Sequence, residues 1–380
     1  MPAIIAGLLS VLIWLYLLAA RGGFWRVHTM LPPAVAEGAQ RATVAVVVPA
    51  RNEADVIAQC VTSLLTQSYP GSIRVFLVDD SSADDSARVA REAAARAGRA
   101  ENLTVIEGRP LPRGWSGKLW AMQQGIDRAL ETAPRFLLLT DADIVHAPGN
   151  IKSLVALAES GRYDLTSFMV RLHCVTPAER LLVPAFVFFF FMLYPPAWVR
   201  SPRRKNAGAA GGCILIRPES LERAGGIAAI RQEIIDDCAL AHAVKSTGGS
   251  VWLGLTESAS SVRPYETYAE VGRMISRTAF NQLRHSSILL LLSLAGLTIA
   301  YLLPPLLLFS RHSFSIALGA TAWLLMTLAF LPMVRFYGLN PLRALLLPLI
   351  AVFYMGATFH SALRYWSGKG GVWKGRVQDP

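Results

Sequence analysis

TVAVVVPARNE, residues 43–53, decides the reading of the fold: a run of small β-branched residues ends at Pro49 and gives way to a polar turn. An apolar run without polar alternation predicts a strand buried on both faces. The pattern recurs at 73–79 (IRVFLVD), 103–107 (LTVIE), 135–140 (RFLLLT) and 164–171 (DLTSFMVR). Helix-like stretches lie between these runs, near 54–67, 84–97, 116–131 and 148–159. Strands alternating with helices of this length predict an α/β fold with a mostly parallel sheet covered on both sides.

In an open parallel sheet, ligands bind beyond the carboxyl ends of the strands, so the residues just after each strand are the candidates. After the first come Pro49, Ala50, Arg51, Asn52 and Glu53; after the second, Asp79, Asp80, Ser81, Ser82, Ala83 and Asp84; after the fourth, Asp141, Ala142 and Asp143. Each cluster alone has an ordinary reading. Asp84, Ser81 or Ser82 can cap a helix, and Asp141 and Asp143 can form a turn before Pro148. Three such clusters along one sheet edge favour a site. Neighbouring carboxylates repel unless a cation joins them. A hard divalent ion such as Mg²⁺ takes one or two carboxylates and completes its shell with phosphate oxygens. Arg51 and Lys118 add positive charge for an anionic substrate, and the Gly114–Lys118 segment leads into a helix whose N-terminus favours anions.

Outward from this core the chain turns apolar. Of its 380 residues 53% are hydrophobic and 17% charged, against roughly a quarter charged in a typical soluble protein. Residues 3–20 carry no charge, and Arg21 and Arg26 come after them. That length predicts a transmembrane anchor over 1–22, and the basic residues after it place the α/β domain in the cytoplasm. Runs at 286–309, 314–334 and 342–361 predict two or three further spans within 286–363. The stretch 181–199, interrupted by Pro184, Pro195 and Pro196, is expected to lie in the membrane interface as a helix or hairpin. A proline-containing linker covers 29–42, an amphipathic membrane-proximal helix 263–285 and a basic tail 364–380.

The net charge of +11 comes from this second half: 271–378 holds ten Lys or Arg and no Asp or Glu, whereas residues 1–270 carry a net of only +2. Such a distribution orients a chain at an anionic membrane and argues against a nucleic-acid partner, which calls for a basic face on a folded domain. The cysteines, Cys60, Cys174, Cys213 and Cys238, form no Cys-x-x-Cys pair. That excludes a zinc ribbon or a disulfide framework as the organising feature.

VVVPARNE, LVDDSSADDS, GKLWAMQQG and LLLTDAD, in this order and spacing, resemble a family 2 glycosyltransferase of the GT-A fold, a Rossmann-like α/β domain. Gly208–Arg217 (GAAGGCILIR) resembles the family's glycine-rich acceptor-side segment. Ile235–Leu240 (IDDCAL) resembles its E-D-x-x-L motif, with Asp236 in place of Glu. The resemblance covers about 41–285, and the layout of apolar segments is similar to that of hopene-associated and ceramide glycosyltransferases. It implies a catalytic domain over 41–260 that takes a nucleotide-sugar donor and a lipid acceptor at the cytoplasmic (inner) membrane. Pro49, Arg51, Glu53, Asp79, Asp80, Lys118, Asp141, Gly211 and Gly212 would bind substrate, Asp79 or Asp80 at the nucleotide base or ribose. Asp141 and Asp143 would hold Mg²⁺ or Mn²⁺, and Asp237, next to Asp236, would be the general base. A Q/R-x-x-R-W motif is expected before the membrane helices. Here Arg277 matches its arginine, Met274 replaces Q/R and Thr278 replaces Trp. Arg273 and Arg277 lie on one helix face, where a diphosphate clamp and snorkelling to lipid headgroups are both open. His146 and His242 read as packed or hydrogen-bonding histidines, Trp115 and Trp120 as helix-face packing, Cys213 and Cys238 as small buried groups. Phe188–Phe191 read as membrane-contacting surface. A polysaccharide synthase would need a longer membrane part, and a transport or scaffold protein would leave the strand-end carboxylates unexplained.

Overall fold

The structure, a computed structural model, describes residues 1–27 and 41–368 and the backbone of 372–373 and 376–377. The linker from 29 to 40 and the side chains of the tail from 369 fall outside the described residues. By internal packing the chain divides into two units. One comprises Met1–Val27, Cys174–Ala197 and Pro264–Gly370; the other comprises His28–His173, Trp198–Arg263 and Gly371–Pro380.

The second unit is built on eight strands: β1 Val44–Ala50, β2 Ile73–Asp79, β3 Leu103–Glu107, β4 Phe136–Leu139, β5 Ile144–His146, β6 Leu165–Arg171, β7 Ile214–Ile216 and β8 Val251–Ser261. Their spatial order is β3-β2-β1-β4-β7-β6-β8-β5. The five expected strands all form. The sheet, however, is mixed rather than mostly parallel. The β3-β2-β1-β4 half and the β6-β8 pair are parallel, while β7 runs against β4 and β6, and β5 against β8. β5 and β7, three residues each, are too short to register as apolar runs, and they are the strands that reverse direction.

The parallel half explains its own sequence. β1 is buried at every position, as a central strand between two others must be. The carbonyl of Val47 accepts from Thr140 on the β4 side, and that of Ala50 accepts from Asp80 on the β2 side. The nitrogen of Pro49 therefore faces β4, whose pairing with β1 has already ended at Leu139. The missing donor interrupts no ladder bond. The helix Gly117–Leu130 lies against β1 and β2. Gly125 allows the approach, since a Cβ there would stand 2.5 Å from Val47 Cγ1.

The first unit is helical. Among the described residues five helices are long and apolar enough to cross a membrane: Pro2–Ala19, Pro177–Arg200, Ser287–Leu307, Ser313–Phe336 and Pro341–Trp366. Their outward positions carry Ile5, Leu12, Ile288, Leu291, Leu324 and Leu349, all exposed. Pro177–Leu193 is one helix and not a hairpin, opened by a capping box between Thr176 and Glu179. Pro184 inside it cannot donate to Arg180 O four residues back; Arg343 Nη1 donates to that carbonyl instead, at 3.4 Å. The same repair occurs at Pro304, where the carbonyl of Ala300 accepts from Trp14 Nε1 at 2.8 Å. A second correction concerns Phe188–Phe191: Phe188 and Phe191 are buried, with Phe188 packed on Phe24 and Phe330. This side of the helix is core. The amphipathic stretch 263–285 is also divided, into Tyr268–Ser276 and Ala279–Gln282, and it ends where Arg284 and His285 take left-handed φ of 52° and 54°.

Candidate active site

The turns after β1 and β2 are sewn together residue by residue. Asn52 and Ser81 both take φ of 52°, a conformation that Asn tolerates and that turns the chain sharply. Asn52 Oδ1 accepts from Ala83 N at 2.8 Å, and Asn52 N donates to Ser82 Oγ at 3.0 Å. Glu53 N donates to Ser86 Oγ at 2.8 Å and Ala54 N to Asp84 Oδ2 at 3.1 Å. Asp84 thus caps across the gap between the two turns, and although partial desolvation pulls its carboxyl upward, its bonds to Ser86 and Ala54 N hold it below the usual range. Arg51 donates to the carbonyls of Asp80 and Ser81 and lies 3.6 Å from the Asp80 carboxylate. It acts here as a strut. Asp80 is fully buried, so of the two candidates for the nucleoside it is the half-buried Asp79, whose Oδ1 accepts from Ser82 N at 3.1 Å, that remains accessible.

The Asp141–Asp143 turn joins β4 to β5 and draws in three further elements. Lys118, at the start of its helix, places Nζ 3.0 Å from Asp141 Oδ1 and 3.1 Å from Asp236 Oδ2. Burial works against the ammonium charge, but the two carboxylates outweigh it and hold Lys118 well above the ordinary lysine value. Burial raises the Asp141 pKa, and Asp143 and Asp236 add to the rise against the pull of Lys118. Asp143 Oδ2 accepts from Ser261 Oγ at 2.7 Å, with Arg263 Nε at 3.6 Å. Arg263 also pairs with Glu53, tying the end of β8 to the turns after β1 and β4.

Asp237 stands at the head of the helix Asp236–Ser246. Its Oδ2 accepts from Gly211 N at 2.8 Å and its Oδ1 from Cys238 N at 2.7 Å. A Cβ on Gly211 would lie 3.4 Å from Asp237 Oδ2 and 3.5 Å from Lys118 Nζ, so the bare backbone is what brings the carboxylate and the lysine together. Asp236 and Asp237 border a narrow pocket otherwise lined by apolar side chains such as Met122, Ile227, Ile230 and Leu240. Burial pushes Asp237 up to about 6, Asp236 pushes the same way, and Lys118 with the two N–H donors only partly offsets them. A carboxylate poised near neutrality suits proton abstraction.

Residues 45–225 match the family model described as glycosyl transferase family 2. This is a family 2 glycosyltransferase domain. Its α/β fold with a mixed sheet is GT-A-like. The chain is similar to a mannosyltransferase from Pyrobaculum calidifontis solved in complex with GDP-Man and Mn²⁺, at 19% identity and a TM-score of 0.55, over 95% of this chain and 96% of that one. Glucosyl-3-phosphoglycerate synthase from Mycobacterium tuberculosis, solved with Mn²⁺ and UDP-glucose, matches at 15% identity and a TM-score of 0.42, over 68% of this chain and 85% of that one. That score is too low to carry an argument. No curated protein matches the chain.

In the glycosyltransferase domain the expected residues fall into three groups. Asp141, Lys118, Asp236, Asp237 and Gly211 meet directly. Glu53 and Asp143 meet through Arg263, and Pro49, Arg51 and Asp80 build the scaffold behind the turns. Gly212 is packed against Val170 and Ile144, where a Cβ would be 3.2–3.3 Å from their methyls. Arg277 belongs to the helical unit, exposed at the end of Tyr268–Ser276, and Arg273 there pairs with Glu270 at 3.6 Å. His146 is buried and hydrogen-bonded, whereas His242 is exposed. Trp115 and Trp120 meet edge to face at 5.2 Å, with Arg109 over the second ring. Cys213 and Cys238 are buried.

Among the described residues no three His, Cys, Asp or Glu side chains gather as a ready-made metal site. The Asp141–Asp143 pair still fits a hard cation. Lys118 takes one oxygen of Asp141, and Ser261 and Arg263 take one of Asp143, so each carboxylate keeps a second oxygen for an ion whose shell a diphosphate completes. Sequence reading missed Ser261 and Arg263. Their signal was the strand-end rule itself, applied to VWLGLTESASS at 251–261, a run whose polar second half hides β8.

Proposed function

We propose that the domain transfers a sugar from a nucleotide-sugar donor to the hydroxyl of a lipid, with inversion at the anomeric carbon and Asp237 as the general base. The observation that carries this reading is the pairing of opposite environments within one cluster. Asp237 is held by two backbone N–H groups in an apolar surround, beside a lysine that links Asp236 to Asp141. The acceptor oxygen bonds the anomeric carbon, its proton passes to Asp237, and the bond from that carbon to the diphosphate breaks with its electrons on the leaving nucleoside diphosphate. Lys118 faces the charge that grows on that leaving group. Asp141 and Asp143 would hold Mg²⁺ or Mn²⁺, which supplies further compensation of the diphosphate charge. Asp79, the accessible aspartate after β2, would orient the nucleoside. A lipid acceptor is supported by the five helices long and apolar enough to cross a membrane in the same chain. A hopanoid-type polycyclic alcohol is the acceptor class that the sequence layout favours.

The test uses the full chain in detergent or nanodiscs, GDP- and UDP-sugars, Mn²⁺ and a membrane lipid extract, with glycosylated lipid read by mass spectrometry. Asp237→Asn should lose transfer by about a thousandfold while still binding the donor. A general base works only when ionised, so the rate should climb with pH up to about 6, the value to which burial raises Asp237, and level off above. Transfer by Asp237→Asn at the wild-type rate would remove Asp237 from the mechanism. Failure to bind any nucleotide sugar would overturn the reading as a whole.

A further inference from the structure

The segment that presents Gly211 to Asp237 is gripped from its other side by a buried polar chain. Thr140 Oγ1 donates to Gly212 O at 2.7 Å. His146 Nε2 lies 3.0 Å from Thr140 Oγ1, and Asn150 Nδ2 lies 2.8 Å from His146 Nδ1. Thr140, His146 and Asn150 are all buried, at 1%, 2% and 0% exposure. The direction of the chain is set by its end. A carbonyl can only accept, so the single hydroxyl proton of Thr140 goes to Gly212 O. Thr140 Oγ1 must then accept from His146 Nε2–H, which leaves Nδ1 bare to accept from the Asn150 amide. One tautomer of a neutral imidazole fits, and burial, which pushes His146 down to about 4, keeps it neutral. The rest of the segment is pinned as well: Ser167 Oγ accepts from Ala210 N at 2.8 Å, and Cys238 Sγ lies 3.5 Å from Ala209 O.

We infer that His146 is a positioning residue for the general base: through Thr140 it holds the Gly211–Gly212 backbone in the place from which Gly211 N–H orients the Asp237 carboxylate. This rests on Asp237 being the base, as proposed above. Thr140 directly precedes Asp141 and His146 lies three residues beyond Asp143, but the side chains of this polar chain point to one another and to Gly212 O, and they reach the catalytic helix only through backbone. Their effect belongs on the turnover step and not on donor binding.

Thr140→Val keeps the shape and removes the proton that reaches Gly212; His146→Gln keeps a donor toward Thr140 and an acceptor toward Asn150. In the full-chain transfer assay Thr140→Val should lower kcat about ten- to a hundredfold, with the donor KM within about twofold. The acid limb of its pH–rate profile should move to higher pH, because a loosened Gly211 N–H no longer favours the charged carboxylate. Thr140→Ser and His146→Gln should restore most of the rate. A folded Thr140→Val with wild-type kcat and an unmoved acid limb would overturn the inference, as would a Thr140→Ser variant no faster than Thr140→Val. Asp237→Asn separates the two levels. If it transfers normally, the reading of the base has failed; if it is inactive while Thr140→Val is normal, only the positioning role has failed.

Discussion

The two units of the chain satisfy the backbone polar groups at their turns and prolines in opposite ways. In the sheet unit each strand-end turn is held by several short bonds at once. Asn52 alone makes two to the facing turn, and Glu53, Ala54 and Arg51 add more. In the helical unit a proline frees one carbonyl, and a single donor from a distant helix meets it, as Trp14 does for Ala300 and Arg343 for Arg180. Redundant bonding spreads the cost of losing a partner, while a lone donor leaves a buried carbonyl bare. Lost polar groups near the site should therefore show first in chemistry, and lost polar groups in the helices first in stability.

The largest expected effect tests the first half of that contrast. Lys118 bridges Asp141 and Asp236, and Lys118→Met should reduce transfer by about a hundredfold or more while Tm falls by only a few degrees. A variant that no longer folds would break the comparison at its strongest point, because it would make the lysine a structural keystone and not a functional one.

Next comes a pH effect on the sheet unit. His146 is buried and neutral, with its pKa pushed down to about 4 against about 6.5 for a free histidine. Between those values the unfolded chain takes up a proton that the fold refuses. Stability should therefore be intact above about pH 6.5 and decline as pH falls toward 4, by up to about 3 kcal/mol. Denaturant melts from pH 7 to 4.5 measure it, and His146→Gln should flatten that slope. An unchanged slope in the variant would assign the acid sensitivity elsewhere.

How much of this was legible in the sequence differs between the units for physical reasons. The strands β1, β2, β3, β4 and β6 carry uninterrupted apolar runs because both their faces are covered. The aspartates after β2 and β4 stand out because a polar pair directly after such a run is conspicuous. β5, β7 and β8 were hidden, the first two by length and the third by its polar second half, and with them went the antiparallel pairings and the roles of Ser261 and Arg263. Asp80 could not be told from Asp79 without burial, and nothing in a string of letters says that Gly211 donates to Asp237. In the helices Pro184 does not interrupt the chain as its position suggests but sits inside one continuous helix, and the carbonyl it frees is met by Arg343, 163 residues away, a pairing that only the fold reveals. The buried Phe188 face was missed for a related reason, since an apolar helix looks alike whether it meets lipid or other helices.

The second half of the contrast is tested by Trp14→Phe. Trp14 is fully buried, and its indole N–H is the donor for the carbonyl freed by Pro304. Its loss should cost about 2 kcal/mol, the penalty for an unsatisfied buried carbonyl, and should be visible as a lower Tm in detergent. Transfer per folded molecule should be unchanged. Reduced kcat at full stability would show that the two kinds of repair are not separate.

The smallest effect sharpens the idea of a lone donor by varying its burial. Arg343 serves the same purpose at Pro184 as Trp14 does at Pro304, yet Arg343 is only half-buried and its bond to Arg180 O lies exposed at 3.4 Å, against a buried 2.8 Å for Trp14. If the cost comes from a carbonyl stripped of solvent, the exposed position can recruit water or a headgroup and the buried one cannot. Arg343→Gln should then shift stability by less than about 0.5 kcal/mol, several times less than Trp14→Phe in the same melt. Equal losses would mean that proline repair matters for the path of the helix itself and not for the desolvation of the carbonyl it frees.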